Sequence, residues 1–190
     1  MSETSNVTAA KPKVGGGIYS APLGTVLPTD ATTALDKAFK NLGYVSEDGV
    51  TNSDERSTDD IKAWGGDTVN TVQTEKKDTF KYTLIEALNV DVLKEVYGDS
   101  NVSGNLKTGI TIKSNSKELE AHSIIIETVL TDNVLKRIVL PNVKVTEVGE
   151  ITYGDSDNVG YETTGTCYPD GDGNTHYEYI IRKSTTGSAG

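Results

Sequence analysis

A chain of 190 residues with a formal charge of −10 and one cysteine, Cys167, closes off several classes at once. The acid excess opposes binding along the outside of a nucleic acid, which needs Lys and Arg to release counterions. A lone cysteine forms no intramolecular disulfide and fits a reducing compartment, and neither a signal-peptide core in residues 1–17 nor an apolar run of about 18 residues is present.

Residues 1–17 are polar, end in Gly15-Gly16-Gly17, and read as a flexible N-terminal arm. The triple glycine lacks the Gly-Lys-Ser/Thr ending of a phosphate loop. Next comes a segment with no regular period, GIYSAPLGTVLPTDA over 17–31. It holds Ile18, Tyr19, Leu23, Val26 and Leu27 between Pro22 and Pro28. Without strand or helix period it is not expected to complete its own domain's core. In water it would be sticky, while its prolines lower the entropy cost of docking. These seven residues, with Trp64, are therefore the candidate inter-subunit contacts.

Ala34, Leu35, Ala38, Phe39 and Leu42 recur at helical spacing between Thr29 or Asp30 and Gly43, which predicts a helix. Asp48-Gly49 marks a turn between short extended pieces. Residues 51–60 are polar and acidic, a loop or weak edge strand. Asp60–Trp64, Gly65-Gly66-Asp67 and Thr68–Thr74 read as strand, turn and strand, and residues 79–86 as an alternating strand. Asn89 and Gly98 bracket a short helix with a Val92, Leu93, Val96 stripe. Strands are expected over 106–113, over 122–130 (apolar on both faces, hence covered on both sides), over 134–140 and over 143–148. Asp132-Asn133 and Pro141-Asn142 are the predicted turns. A last pair, 162–168 and 176–182, surrounds Pro169–Asn174.

Mainly β with antiparallel strands in two packed sheets, sandwich- or barrel-like, plus one flanking helix and a second short one, is the expected fold class. The organisation read is an arm over 1–17, one β domain over 18–183 with a contact loop at about 51–66, and a flexible tail over 184–190.

No catalytic, cofactor-binding or metal-binding site is expected. The two histidines, His122 and His176, fall at ordinary strand positions, and no nucleophile elbow is present. Asp170-Gly-Asp-Gly-Asn174 lacks the third oxygen ligand and the terminal glutamate of an EF-hand, and reads as a hairpin loop. Cys167 reads as a structural thiol. Paired carboxylates abound, but one Trp and two Phe poorly supply a sugar cleft.

GGGIYSAPLGTVLPTDATTALDKAFKNLGYVSEDGV (15–50) and LPNVKVTEVGEITYGDSDNVGYETTGTCYPDGDGNTHYEYI (140–180) resemble the two halves of siphophage major tail proteins, the phage tail tube protein family. The resemblance implies a non-enzymatic virion protein that forms hexameric rings stacked into a tube for DNA ejection. It implies the tape measure, tail terminator and distal tail proteins as partners. DNA would pass the lumen without specific binding, and no membrane is involved. Assembly would take place in the host cytoplasm. Residues 18–28 and about 51–66 would contact neighbouring subunits. An anionic bore would keep DNA from sticking. The alternative reading is a monomeric β-sandwich carbohydrate-binding module of a virion protein, using Tyr161, Tyr168, Tyr177 and Tyr179 as an aromatic strip.

Overall fold

The computed structural model describes residues 2–182. The strands are β1 (Ala10–Pro12), β2 (Ile18–Pro22), β3 (Lys40–Asn41), β4 (Val45–Lys62) and β5 (Thr68–Leu84), followed by helix α1 (Val90–Tyr97). Then come β6 (Val102–Asn105), β7 (Gly109–Ile112), β8 (His122–Leu130), β9 (Val134–Val148), β10 (Tyr161–Cys167) and β11 (Tyr177–Arg182). The mainly β, antiparallel architecture expected from the sequence is present as two sheets. The large sheet runs β3-β2-β8-β9-β10-β5-β4, with β1 also on β8 and β11 also on β9; β6 and β7 form a separate hairpin. The tail expected over 184–190 lies outside the described residues.

The large sheet has two faces with different fates. One face curls around the main core, where Ile18, Phe80, Tyr82, Leu84, Ile124, Ile126, Leu140 and Val143 meet Val92, Leu93 and Val96 of α1. Asn89 caps that helix by accepting from the Asp91 amide at 3.0 Å, and Gly98 ends it at φ 92°. The opposite face carries a smaller core of Ala21, Phe39, Ile125 and Val139. Strand β8 therefore has five consecutive buried residues, Ser123–Glu127, as its two-sided apolar pattern predicts.

The helix expected over 34–42 does not form. Arg137, buried on β9, donates Nη1 to the carbonyls of Asp30 (2.7 Å) and Thr33 (2.9 Å). Those carbonyls would have to accept from residues four further on in a helix. Asp30 and Asp36 hold the chain in side-chain turns instead, Asp30 accepting from the Thr33 amide and Asp36 from the Ala38 amide. The apolar residues at helical spacing still reach the sheet: Leu35, Ala38 and Phe39 lie on the smaller core as an extended cover.

Two further expectations fail at Pro141. No turn occurs there; β9 continues through it with a bulge where β8 pairing slips between His122 and Ile124. A bulge is where a sheet tolerates the missing amide. The kink divides the far side of β9 between two strands, β11 on residues 134–139 and β10 on 143–148. So β10 and β11 do not pair with each other as expected. They lie end to end along β9. The Asp132-Asn133 turn is present, both residues at φ 58°.

Candidate assembly surfaces

The segment 18–28 is not a loose leader. Ile18–Pro22 pairs with β8 in register, Ile18 opposite Ile126 and Ala21 opposite Ser123. Ile18 is 1% exposed in the main core, and Tyr19 and Leu27 pack on the smaller one. Pro28 is buried. The expectation that this segment cannot serve its own core is thus corrected. Its period is hidden because both faces of β2 are covered, so apolar and polar residues need not alternate. What projects is the turn that follows, with Leu23 53% and Val26 75% exposed beside exposed Pro22. Gly24 takes φ 88° there, and the Thr25 amide returns to the Pro22 carbonyl at 3.2 Å.

The arm before it also docks in part. Ala10–Pro12 pairs with the end of β8, Ala10 opposite Leu130. The triple glycine steps the chain past Glu127, whose amide donates to Gly17 O at 2.7 Å. A Cβ on Gly16 would fall on the Asn41 amide group. Glu127 is itself buried. It pairs with Arg137 on one side and with Lys13 Nζ at 2.6 Å on the other. An ion cluster buried at Glu127 and Arg137, with Lys13 at its exposed end, therefore holds the arm, the sheet and the 30–33 turn together.

Residues 51–66 are not a loop but half of a long ribbon. Strands β4 and β5 pair from Val45/Leu84 to Lys62/Thr68. From Asp54 to Lys77 every residue is exposed, so about 30 Å of two-stranded ribbon stands clear of the body. The Gly65-Gly66 tip turn uses φ 116° and 99°, as the sequence signal predicts. Beside it Trp64 is fully exposed, with Ile61, Val69 and Val72 also bare. A lone hairpin is marginally stable in water. The base is well anchored: Asp78, 1% exposed, accepts from Asn52 Nδ2 (2.8 Å) and Thr175 Oγ1 (2.5 Å) and meets His176 Nδ1 at 2.6 Å.

The remaining polar chemistry is spent on packing. Glu95 of α1 accepts from Tyr82 Oη at 3.1 Å and meets His122 Nε2 at 2.9 Å, tying the helix to the sheet. Burial alone would raise the Glu95 pKa, but His122, Ser20 and Tyr82 outweigh it and hold the carboxyl below its ordinary value. Burial likewise opposes charge on His122, and Glu95 overrides it, raising the imidazole. Burial pushes the Cys167 thiol up to about 12. In the 170–174 loop, Asp170 accepts from the Asp172 and Asn174 amides and from Tyr177 Oη, which uses up its oxygens locally; because β10 and β11 do not pair, the loop is not the hairpin expected. Among the described residues no group of three His, Cys, Asp or Glu could hold a metal.

Tyr177 and Tyr179 stack at 6.4 Å between centroids, but against the smaller core, while Tyr161 is buried. They make no free aromatic strip. A groove of about 1070 Å³ runs between residues 10–17 and 43–50. On it, Lys136 and Glu178 pair with each other at 2.8 Å.

The family model described as phage tail tube protein matches residues 3–189. This chain belongs to that family. No curated protein matches it. A tail tube protein is a structural component of the phage virion's tail, put together in the host cell, and it assembles with copies of itself and other tail proteins into a tube. For such a subunit the exposed ribbon and the Pro22–Val26 turn are the features to explain. The sequence found the ribbon's tip and left its polar flank as a loop or a weak edge strand; it is the edge strand β4. The signal available was the run of β-compatible Thr and Val over 68–74 facing 51–62 across a Gly-Gly turn.

Proposed function

We propose that this tail tube protein is the major tail subunit of a siphophage, forming hexameric rings that stack into the conduit for DNA ejection. Its neighbours in the finished tail are the tape measure, terminator and distal tail proteins. The subunits join through the ribbon tip at Trp64 and through Leu23 and Val26, with Pro22 beside them. Ile18 and Pro28 hold the turn in place from within, and Tyr19 and Leu27 form its half-covered base.

The observation that carries this reading is the ribbon. A two-stranded hairpin exposed over residues 54–77, with a bare tryptophan at its end, gains nothing within one chain. It gains burial and rigidity when it lies on another. The tip cannot lie on its own body, because the continuous β4–β5 ladder holds it about 30 Å away. Such a contact joins unlike surfaces of two copies, and contacts of that kind propagate into rings or filaments.

Negative-stain electron microscopy with sedimentation tests it. The unmodified chain forms rings or tubes with six-fold end views, alone or with tail initiation proteins. A ribbon deletion, with residues 57–74 replaced by a short turn, stays folded and monomeric. Tubes built by the deleted chain refute the contact role. A solitary unmodified chain under all these conditions refutes the function.

A further inference from the structure

Residues 100–117 hold three lysines, Lys107, Lys113 and Lys117, and no acid, in a chain whose formal charge is −10. They form the β6–β7 hairpin and the loop after it, outside the large sheet. Both flanking carboxylates are engaged elsewhere. Asp99 takes Lys94 at 2.7 Å, and Glu118 takes Lys144 at 2.6 Å. Among the described residues, Lys107, Lys113 and Lys117 therefore have no carboxylate within ion-pair distance. Three uncompensated charges stand together on one small element.

The backbone beneath them is fixed. The Lys107 amide donates to Asn105 Oδ1 and the Lys117 amide to Asn115 Oδ1, both at 2.9 Å. The Lys113 amide donates to Asn101 O at 2.9 Å. Asn101 donates Nδ2 to Tyr97 O, at the end of α1, at 2.7 Å, so the hairpin is anchored on the helix. Leu106 and Ile112 stand exposed among the lysines. Apolar groups ringed by charge have the make-up of a protein contact surface, with a dry centre and a polar rim.

The outer ribbon carries the complement. Residues 57–74 hold Asp59, Asp60 and Asp67 against the single Lys62. None of the three acids has a cation within ion-pair distance among the described residues. The ladder sets Asp59 opposite Val72, with Ile61 two residues on along the same face. A carboxylate thus lies beside two exposed apolar groups on the approach to Trp64. Resting on the tube reading, we infer that the β6–β7 hairpin, with the loop to Lys117, is the seat for the ribbon tip of a neighbouring copy. Its lysines meet the ribbon's free aspartates around Leu106 and Ile112. Opposite charge steers the encounter and fixes its orientation, and the apolar groups supply the burial. Seat and tip belong to every chain, but the β4–β5 ladder holds the tip clear of its own body. The contact therefore joins two copies through unlike surfaces.

Charge exchange tests this. The triple variant Lys107→Glu, Lys113→Glu, Lys117→Glu should raise the critical concentration for tube growth by about tenfold, the scale of three exposed pairs lost. Asp59→Lys, Asp60→Lys, Asp67→Lys should do the same, and the six changes in one chain should restore growth. A seat variant that grows at the parental concentration overturns the inference, and so does a six-fold variant no better than either triple. The second measurement leaves the charges alone. Ala63→Cys chains mixed with Thr108→Cys chains should be joined across copies by a short bismaleimide in tubes, the native Cys167 being buried. Tubes that yield no such link overturn the seat and leave the tube function standing; absence of tubes from the unmodified chain removes the function itself.

Discussion

Replacing Trp64 with alanine separates folding from assembly. In the single chain Trp64 is fully exposed and its neighbours at the tip are exposed too, so its removal costs the fold almost nothing, within about 0.5 kcal/mol for a surface site. If the tip docks on a neighbour, a tryptophan covers about 200 Å², for a ceiling near 5 kcal/mol at about 25 cal/mol per Å². Ordering of the ribbon and imperfect contacts reduce that, and interface tryptophans cost about 2–4 kcal/mol on truncation. The subunit dissociation constant should therefore rise by about 30- to 1,000-fold. The critical concentration for tube growth, read by sedimentation, reports the second quantity; a urea titration of the unassembled protein reports the first. A variant that melts early while assembling at the parental concentration would show that Trp64 serves the fold and not the contact.

Arg137→Gln should lower the unfolding free energy by about 3–5 kcal/mol, because it strips a buried partner from Glu127 and frees the Asp30 and Thr33 carbonyls; a urea midpoint measures it, and a loss under 1 kcal/mol would contradict the cluster's role. The Glu95–His122 pair sets a pH window. His122 is raised, so its contribution is complete below its ordinary value of about 6.5 and fades as pH climbs through its raised folded value; Glu95 is lowered, so its contribution is complete above its ordinary range and fades as pH falls through its lowered folded value. His122→Asn should flatten the decline in urea midpoint above pH 6.5, and an unchanged profile would discount the pair. Cys167, buried and pushed up to about 12, should resist thiol reagents at pH 8 until urea unfolds the chain, with rapid native labelling as the contrary result.

How far the sequence could be read follows from what each residue reports. Strand β8 and helix α1 were legible because their signals are local: a two-sided apolar run, and a cap, stripe and glycine within ten residues. Residues 34–42 were misread because spacing records only which side chains are buried, not the backbone that delivers them. Phe39 and Leu35 reach the sheet as a helix face would, but Arg137, a hundred residues away, takes the carbonyls the helix needs. Pro141 and the β10–β11 arrangement failed for a related reason. A proline is a turn signal by itself and a bulge only when a neighbouring strand bridges it, and that neighbour is not written nearby.

The candidate contacts divide along the same line. Ile18 and Pro28 are apolar for the chain's own interior; Leu23, Val26 and Trp64 are apolar and left in water, and composition alone gives both groups one reading. Only the paired backbone separates them, because the ladder that buries Ile18 on Ile126 is continuous with the turn that holds Leu23 and Val26 out. The proposed assembly surface of this tail tube protein is thus built by its core. The better β2 is seated, the more rigidly the exposed turn is presented, so a cavity at Ile18 should loosen the turn before it touches the ribbon.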